Sequence, residues 1–319
     1  MSNQPVTIAA KAAPTMTAGG PVVLCAGLSC VDHIWQVDAF PPRQSRTDAS
    51  AYRIQGGGPA ATAAVTVARL GGKAQLWALH GDDPAGKFAL DELHHFGVDT
   101  SGVQMIHGAT SWVSSVLVAP DGERYIFPYR GDGLRDSPPV VQPERVGAVL
   151  VDFRHPRLCE AALEWANARA VPTVGDLGNA RYWELSEKLD VMIASEECAA
   201  EVLGRHDPEA ALGAMRWRSE QHVGVTLGPE GYLYDTGKGL RHLPALPVDV
   251  VDTTGAGDVF HGAYAFALAC GWEADECSAY ALVTAALSCT GLGRSAIPDG
   301  AQVARLLEQR SLQGTPDQA

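Results

Sequence analysis

The segment Asp252-Thr253-Thr254-Gly255-Ala256-Gly257-Asp258 constrains this chain more than any other stretch. It sits between a strand-like run, 246–251, and an apolar run, 259–266, long enough to open a helix. A Gly-Ala-Gly turn at a strand–helix junction leaves the first helical N–H groups without intrahelical partners. The helix dipole adds partial positive charge there. The junction is therefore expected to bind an anion, with the Asp258 carboxylate at its mouth. A carboxylate beside an anion cradle suits the removal of a proton from a hydroxyl that attacks a phosphoryl group. Packing alone gives no reason for two Thr, two Gly and two Asp in this order.

Strand-like and helix-like runs alternate around this segment. Residues 22–28, 75–79, 148–153, 172–175, 191–194 and 223–227 read as strands. Residues 59–70, 85–95, 159–168 and 197–203 read as helices. This βαβα order predicts a doubly wound, mostly parallel α/β sheet with helices on both faces. Two stretches break the order. Residues 31–54 mix polar and apolar side chains around Pro41-Pro42. Residues 111–129 alternate through Val113, Ser115, Leu117, Tyr125 and Phe127, with a turn at Pro120-Asp121-Gly122, which is a hairpin pattern. Segments 33–55 and 111–130 are expected to form a small β-sheet lid on one domain spanning 21–310, flanked by flexible tails at 1–20 and 311–319.

The 319 residues carry a net charge of −13, with a pI near 5.1. That balance speaks against nucleic acid, whose phosphates need a basic face. A phosphorylated small molecule needs only a few local donors. Seven scattered cysteines without a C-x-x-C pair predict buried free thiols rather than disulfides or a zinc site. No run approaches the ~18 apolar residues of a membrane span. Residues 1–20 lack the charged start and apolar middle of a leader, so the cytoplasm is the expected location.

Three other glycine motifs weigh less. Gly81 to Phe88 nearly fits a P-loop, but Phe88 stands where a metal-binding hydroxyl belongs, and Asp82 and Asp83 would repel phosphate. It reads as a strand–helix turn with Asp83 at the helix start. Gly291-Leu292-Gly293-Arg294 follows a helical run rather than a strand, so a loop is expected, one that could line a nucleotide pocket. Gly56-Gly57-Gly58-Pro59 allows either the close approach of a ligand or ordinary helix capping.

Taken together, these residues resemble a known family. Asp252–Asp258 resembles the C-terminal signature of the PfkB (ribokinase-like) carbohydrate kinases, and Gly57-Gly58 through Leu70-Gly71 their N-terminal signature. The spacing of Gly81, Asp83 and Gly86 matches as well. The likeness spans about 22–308. Residues 56–64 and 248–251 look most like the ketohexokinase and sulfofructose kinase branch. The resemblance implies a ribokinase-like doubly wound fold with a β lid that forms a homodimer contact. It implies transfer of the γ-phosphoryl group of ATP, with magnesium, to a sugar hydroxyl. Asp258 matches the catalytic base, and Gly255, Ala256 and Gly257 match the amide cradle for the transferring group. Asp32 matches the aspartate that holds sugar hydroxyls, with Gly57 and Gly58 beneath the sugar. Thr226, Gly228 and Gly231 match the nucleotide loop. Asp252 and Thr254 resemble positions that bind a monovalent cation such as K+ in many relatives.

Two departures bear on the substrate. Thr62 stands where ribokinases carry Asn, which speaks against ribose. Ser195-Glu196-Glu197-Cys198 stands where many relatives carry the N-x-x-E motif that orders the magnesium shell; either Glu196 or Glu197, with Glu197 the first candidate, meets the magnesium, or the pair is only a charged helix start. A ketohexose or fructose-like sugar is the first expectation. The alternatives are an acidic sugar derivative (sulfofructose or a sugar acid), a nucleoside, or a non-catalytic ligand-binding regulator. The intact Gly255–Asp258 run favours catalysis. Arg154 follows the strand 148–153, where side chains face the ligand crevice of a parallel sheet. It either grips an anionic sugar substituent or pairs with Asp152 or Asp176. Sulfofructose kinases carry Asn near the lid's end where Pro128 stands, and Arg130 is the candidate substitute.

Overall fold

The structure, a computed structural model, describes residues 20–41, 46–119, 124–139, 143 and 145–313. The expected turn at Pro120-Asp121-Gly122 and the tails at 1–19 and 314–319 lie outside the described residues. In chain order the strands are β1 (Val22–Ala26), β2 (Cys30–Gln36), β3 (Ala51–Gly57), β4 (Lys73–Gly81), β5 (Asp99–Ile106), β6 (Val113–Val118) and β7 (Arg124–Tyr129). There follow β8 (Ala148–Val151), β9 (Thr173–Leu177), β10 (Val191–Ser195), β11 (His222–Thr226), β12 (Tyr232–Asp235) and β13 (Leu240–Leu243). The helices are α1 (Pro59–Arg69), α2 (Pro84–His95), α3 (Pro156–Asn167), α4 (Glu196–Leu203), α5 (Pro208–Met215), α6 (Ala256–Ala269), α7 (Ala274–Ser288) and α8 (Gly300–Gln313). Helix α8 thus continues through 311–313, which the sequence reading gave to the tail.

The main sheet runs β13-β12-β11-β10-β9-β8-β1-β4-β5. Every pair from β5 to β11 is parallel, and β12 and β13 add antiparallel at one edge. The central strands are buried on both faces, which is why they read as unbroken apolar runs. One face carries Val23, Cys25, Leu76 and Ala78 against α1, α6 and α7; the other carries Leu24, Ala26, Trp77 and Leu79 with the apolar sides of α3, α4 and α5. Small residues bring α1 against α6. A Cβ on Gly262 would stand 2.7 Å from the Ala63 carbonyl oxygen.

From β1 the chain winds outward to β4 and β5, and from β8 it winds the opposite way. The carboxyl ends of β1 and β8 therefore flank a topological switch point, where open α/β sheets take their ligands. The second sheet, β3-β2-β6-β7, is the expected lid. β6 and β7 pair antiparallel as the hairpin pattern predicts, and β2 lies parallel to β6. Six described cysteines are buried, Cys270 is half-buried, and all seven are free.

The strand expected at 246–251 is not one. The segment is irregular, bends at Val251 and joins no sheet, and Val250 and Val251 are exposed. Pro244 and Pro247 offer no N–H to a ladder. Val251 and Asp252 instead donate to the Cys289 carbonyl at the end of α7 (2.8 and 3.2 Å).

Candidate active site

Although no strand precedes it, the 252–258 segment makes the predicted helix start. Gly255 takes φ 76° at the N-cap of α6, a conformation that side-chain-bearing residues rarely adopt. Ala256 N–H donates to the Thr253 carbonyl at 3.2 Å, closing the turn. Among the described residues nothing accepts from the amides of Gly257 and Asp258. A Cβ on Gly257 would meet no atom within 4 Å. Two donors at a helix N-terminus thus face open space.

Asp258 is the third residue of that helix. Its carboxyl lines a cavity together with Asp32, Gly57, Gly58, Asp252, Thr254 and Gly255. Asp32 and Asp258, 226 residues apart, meet here because β2 leaves the end of β1 close to where α1 and α6 pack on one face of the main sheet. Ala256, Gly257, Arg154, Thr226, Gly228, Gly231 and Glu197 do not line this cavity. Burial, and then the carboxylates of Asp176 and Asp152, push the Asp258 carboxyl well above the usual range; Arg294 and Arg154 oppose the shift. A raised carboxyl is a stronger base once ionised.

Asp152 is the structural partner of this arrangement. Its Oδ2 accepts from Leu28 N–H (2.8 Å) and Ala60 N–H (3.1 Å), and its Oδ1 from Arg154 N–H (2.8 Å). One carboxylate therefore joins the ends of β1 and β8 to the start of α1. Gly27 makes room for it, since a Cβ there would lie 2.1 Å from Oδ1. Burial first, with Asp176 adding, pushes Asp152 up to about 6, and the amide donors work against that.

Asp32 rests against the glycine backbone. A Cβ on Gly57 would stand 2.1 Å from its Oδ2, so glycine is needed there for steric reasons. Burial raises the Asp32 carboxyl, and the Arg294 charge is the main force against it. Arg294 escaped the sequence reading. Its side chain is 4% exposed, and it donates to Gly57 O (2.8 Å), Thr62 Oγ1 (3.0 Å) and Glu92 Oε2 (3.2 Å). Gly56 leaves room for the pair: a Cβ there would lie 2.3 Å from Arg294 Nη1. His261 was missed as well. Its Nδ1 lies 2.6 Å from Gly257 O and its Nε2 3.3 Å from Ile193 O, so it braces the turn against β10. The signal was available, since Gly257 and His261 are four apart on one helix face.

The remaining predicted residues fall elsewhere on the carboxyl edge of the sheet. Thr226 ends β11, level with Ser195 on β10. Gly228 (φ 52°) presents an open face, whereas Gly231 (φ 102°) packs against the Leu243 carbonyl. Glu197 is exposed in the first turn of α4; Glu196 beside it pairs with His206 (2.7 Å). The Arg154 guanidinium lies near Gly178 and Asp176. Arg130 stacks over Trp112, with its guanidinium 5.6 Å from the ring centre. Asp83 caps α2 through Gly86 N–H (2.8 Å) and also accepts from Ser111, so the near P-loop is a structural turn. Gly293 lines the Asp258 cavity, and its N–H donates to Asp252. Among the described residues no cluster of three His, Cys, Asp or Glu side chains is placed to hold a metal ion, and no helix is long and apolar enough to cross a membrane.

Known proteins resemble this chain in sequence and in fold. The family model for pfkB family carbohydrate kinases matches residues 22–299. Aminoimidazole riboside kinase of Salmonella typhimurium is 30% identical over 289 residues, covering 82% of this chain and 87% of the relative. A crystal structure from Agrobacterium tumefaciens, described as that of a ribokinase, superposes with a TM-score of 0.87 at 31% identity, over 93% of this chain and 100% of the other. Arabidopsis thaliana ribokinase superposes at 0.78 over 91% of this chain and 99% of the other, with 23% identity. The chain belongs to the pfkB family of carbohydrate kinases and is a phosphotransferase with the ribokinase-like fold.

Proposed function

We propose that the chain transfers the γ-phosphoryl group of ATP to a primary hydroxyl of a furanose-sized sugar, a fructose-like ketohexose first. One observation carries this reading: Asp258 shares a single cavity with Asp32 and the glycine floor, and the unpaired amides of Gly257 and Asp258 open at the same helix end. The Arabidopsis ribokinase structure is described as a complex with ribose and ATP, which supports ATP as the donor.

Asp32 and the Gly57–Gly58 backbone bind the sugar, and Arg294 holds that backbone from behind through Gly57 O. Asp258 takes the proton of the attacking hydroxyl. The amides at the start of α6 hold the transferring phosphoryl group in line and stabilise the charge that builds on its oxygens. Thr226 and Gly228 lie along the expected path of the nucleotide. Magnesium, carried by the nucleotide, would meet Glu197, an exposed carboxylate without a side-chain partner among the described residues; it supplies charge neutralisation on the phosphates. The lid excludes water from the site. Strand β7 exposes Tyr125, Phe127 and Tyr129 on one face and Ile126 on the other, and this apolar surface supports a homodimer formed through the lid.

A second reading, a riboside, is favoured by the name of the Salmonella relative. An acidic sugar gains no support from Arg154, whose guanidinium lies against Gly178 and off the cavity wall. A coupled ADP-release assay over ketoses, aldoses, nucleosides and sugar acids separates these readings. Fastest turnover is expected on a fructose-like ketose. Turnover on a riboside alone would replace the first reading with the second, and no turnover on any member at any magnesium level would remove both.

A further inference from the structure

The resemblance implies a monovalent cation at Asp252 and Thr254, and the residues of this chain do not leave room for one. Asp252 Oδ2 accepts from Arg53 Nη2 at 2.7 Å and from Gly293 N–H at 3.3 Å, while Oδ1 accepts from Thr254 N–H at 2.9 Å. Thr254 Oγ1 lies 3.2 Å from Arg124 Nη1. Both side chains that a cation would use therefore already face a guanidinium. The Arg53 and Asp252 side chains are 27% and 11% exposed, so solvent screens their pairing only in part. Arg53 Nε is buried with no partner among the described residues, which leaves the carboxylate as the anchor of that side chain.

We infer that Arg53 stands in for the monovalent cation: its guanidinium fixes Asp252, Asp252 fixes the Thr254 amide, and the phosphate turn is set without K+. A guanidinium carries the same single charge, with planar donors that match a carboxylate. Two arginines at the site would also repel an incoming cation. Arg53 lies on β3 of the lid, so this charge reaches the turn from the lid rather than from solvent. It is a positioning residue for Asp252 and the turn that follows.

The test compares the full-length protein and Arg53→Ala in about 0.1 M KCl and in tetramethylammonium chloride of equal ionic strength, so that screening is constant. For the native protein, turnover should agree within about twofold and Tm within about 1 °C between the two salts, since a site that binds no cation gains nothing by mass action. Arg53→Ala should lose about tenfold in kcat in tetramethylammonium with KM for the sugar less changed. K+ should restore most of that loss and raise the variant's Tm by several degrees. Arg53→Lys, which keeps the charge, should remain K+-independent. Native turnover that rises about tenfold with K+, a native Tm that K+ raises by several degrees, or an Arg53→Ala variant that K+ does not rescue would each overturn the inference. The turnover arm rests on the kinase reading. The Tm arm does not, so a wrong substrate and a wrong cation assignment give different results. If Arg53→Ala fails to fold, the native Tm titration still decides.

Discussion

Replacing Arg294 by Met tests whether a buried guanidinium holds the sugar floor. Arg294 donates to Gly57 O, Thr62 Oγ1 and Glu92, and the side chains of Arg294 and Glu92 are only 4% and 18% exposed. Removing one partner of a buried ion pair costs about 3–5 kcal/mol, mostly because the other charge is left uncompensated. With roughly 2.1 cal/mol/K of unfolding entropy per residue near Tm, 319 residues give about 0.7 kcal/mol/K, so Arg294→Met should lower Tm by ~6 °C. Adding Glu92→Gln removes the stranded charge and should return about 1–2 kcal/mol, or ~2 °C. Differential scanning calorimetry without ligand reads both. Sugar KM should rise by about tenfold or more in either variant, because Gly57 and Asp32 lose the charge behind them. A Tm shift under about 1 °C for Arg294→Met, or a double variant less stable than the single, would refute the argument.

Three further outcomes follow from the same geometry. Both Asp152 oxygens accept amide hydrogens, so Asp152→Asn sets an NH2 against an N–H and destabilises. Burial raises the native Asp152 carboxyl from 3.8 to about 6, so the native state holds a proton that the unfolded state releases; native stability from this group falls as pH rises from about 4 to about 6. Asp152→Asn should therefore cost ~2 kcal/mol more at pH ~4.5 than at pH ~7, measured by denaturant titration. His80 and His222, pushed by burial to about 4 and about 3, tilt both curves the other way and cancel in the difference. Gly57→Ala puts a methyl group 2.1 Å from Asp32 Oδ2 and should cut kcat/KM by about 100-fold while the circular dichroism spectrum is kept.

Much of this was legible in the sequence because it was local. The Gly255–Asp258 helix start depends on residues adjacent in the chain, and the apolar runs of β1, β8 and β10 report their own burial. The edge strands β12 and β13 were missed because they are four residues each, too short for a period to register. The false strand at 246–251 shows the converse: an apolar, β-branched run looks like a strand, yet Pro247 lacks an N–H for a ladder and the Cys289 carbonyl takes the Val251 N–H. Arg294 was invisible because its meaning lies in Glu92, 202 residues away, and in Gly57, 237 residues away. The pairing of Arg53 with Asp252 spans 199 residues and was hidden for the same reason. The glycines marked these places in advance, since Gly27, Gly56 and Gly57 each yield the space that a long-range side chain fills.

The central claim is that one carboxyl group at the start of α6 receives the proton of the acceptor hydroxyl. Single-turnover phosphorylation by Asp258→Asn, followed by quench-flow with saturating ATP and sugar, tests it most directly. The account predicts a rate at least ~100-fold below native with nucleotide affinity unchanged. A rate within about threefold of native would place the base elsewhere and contradict it.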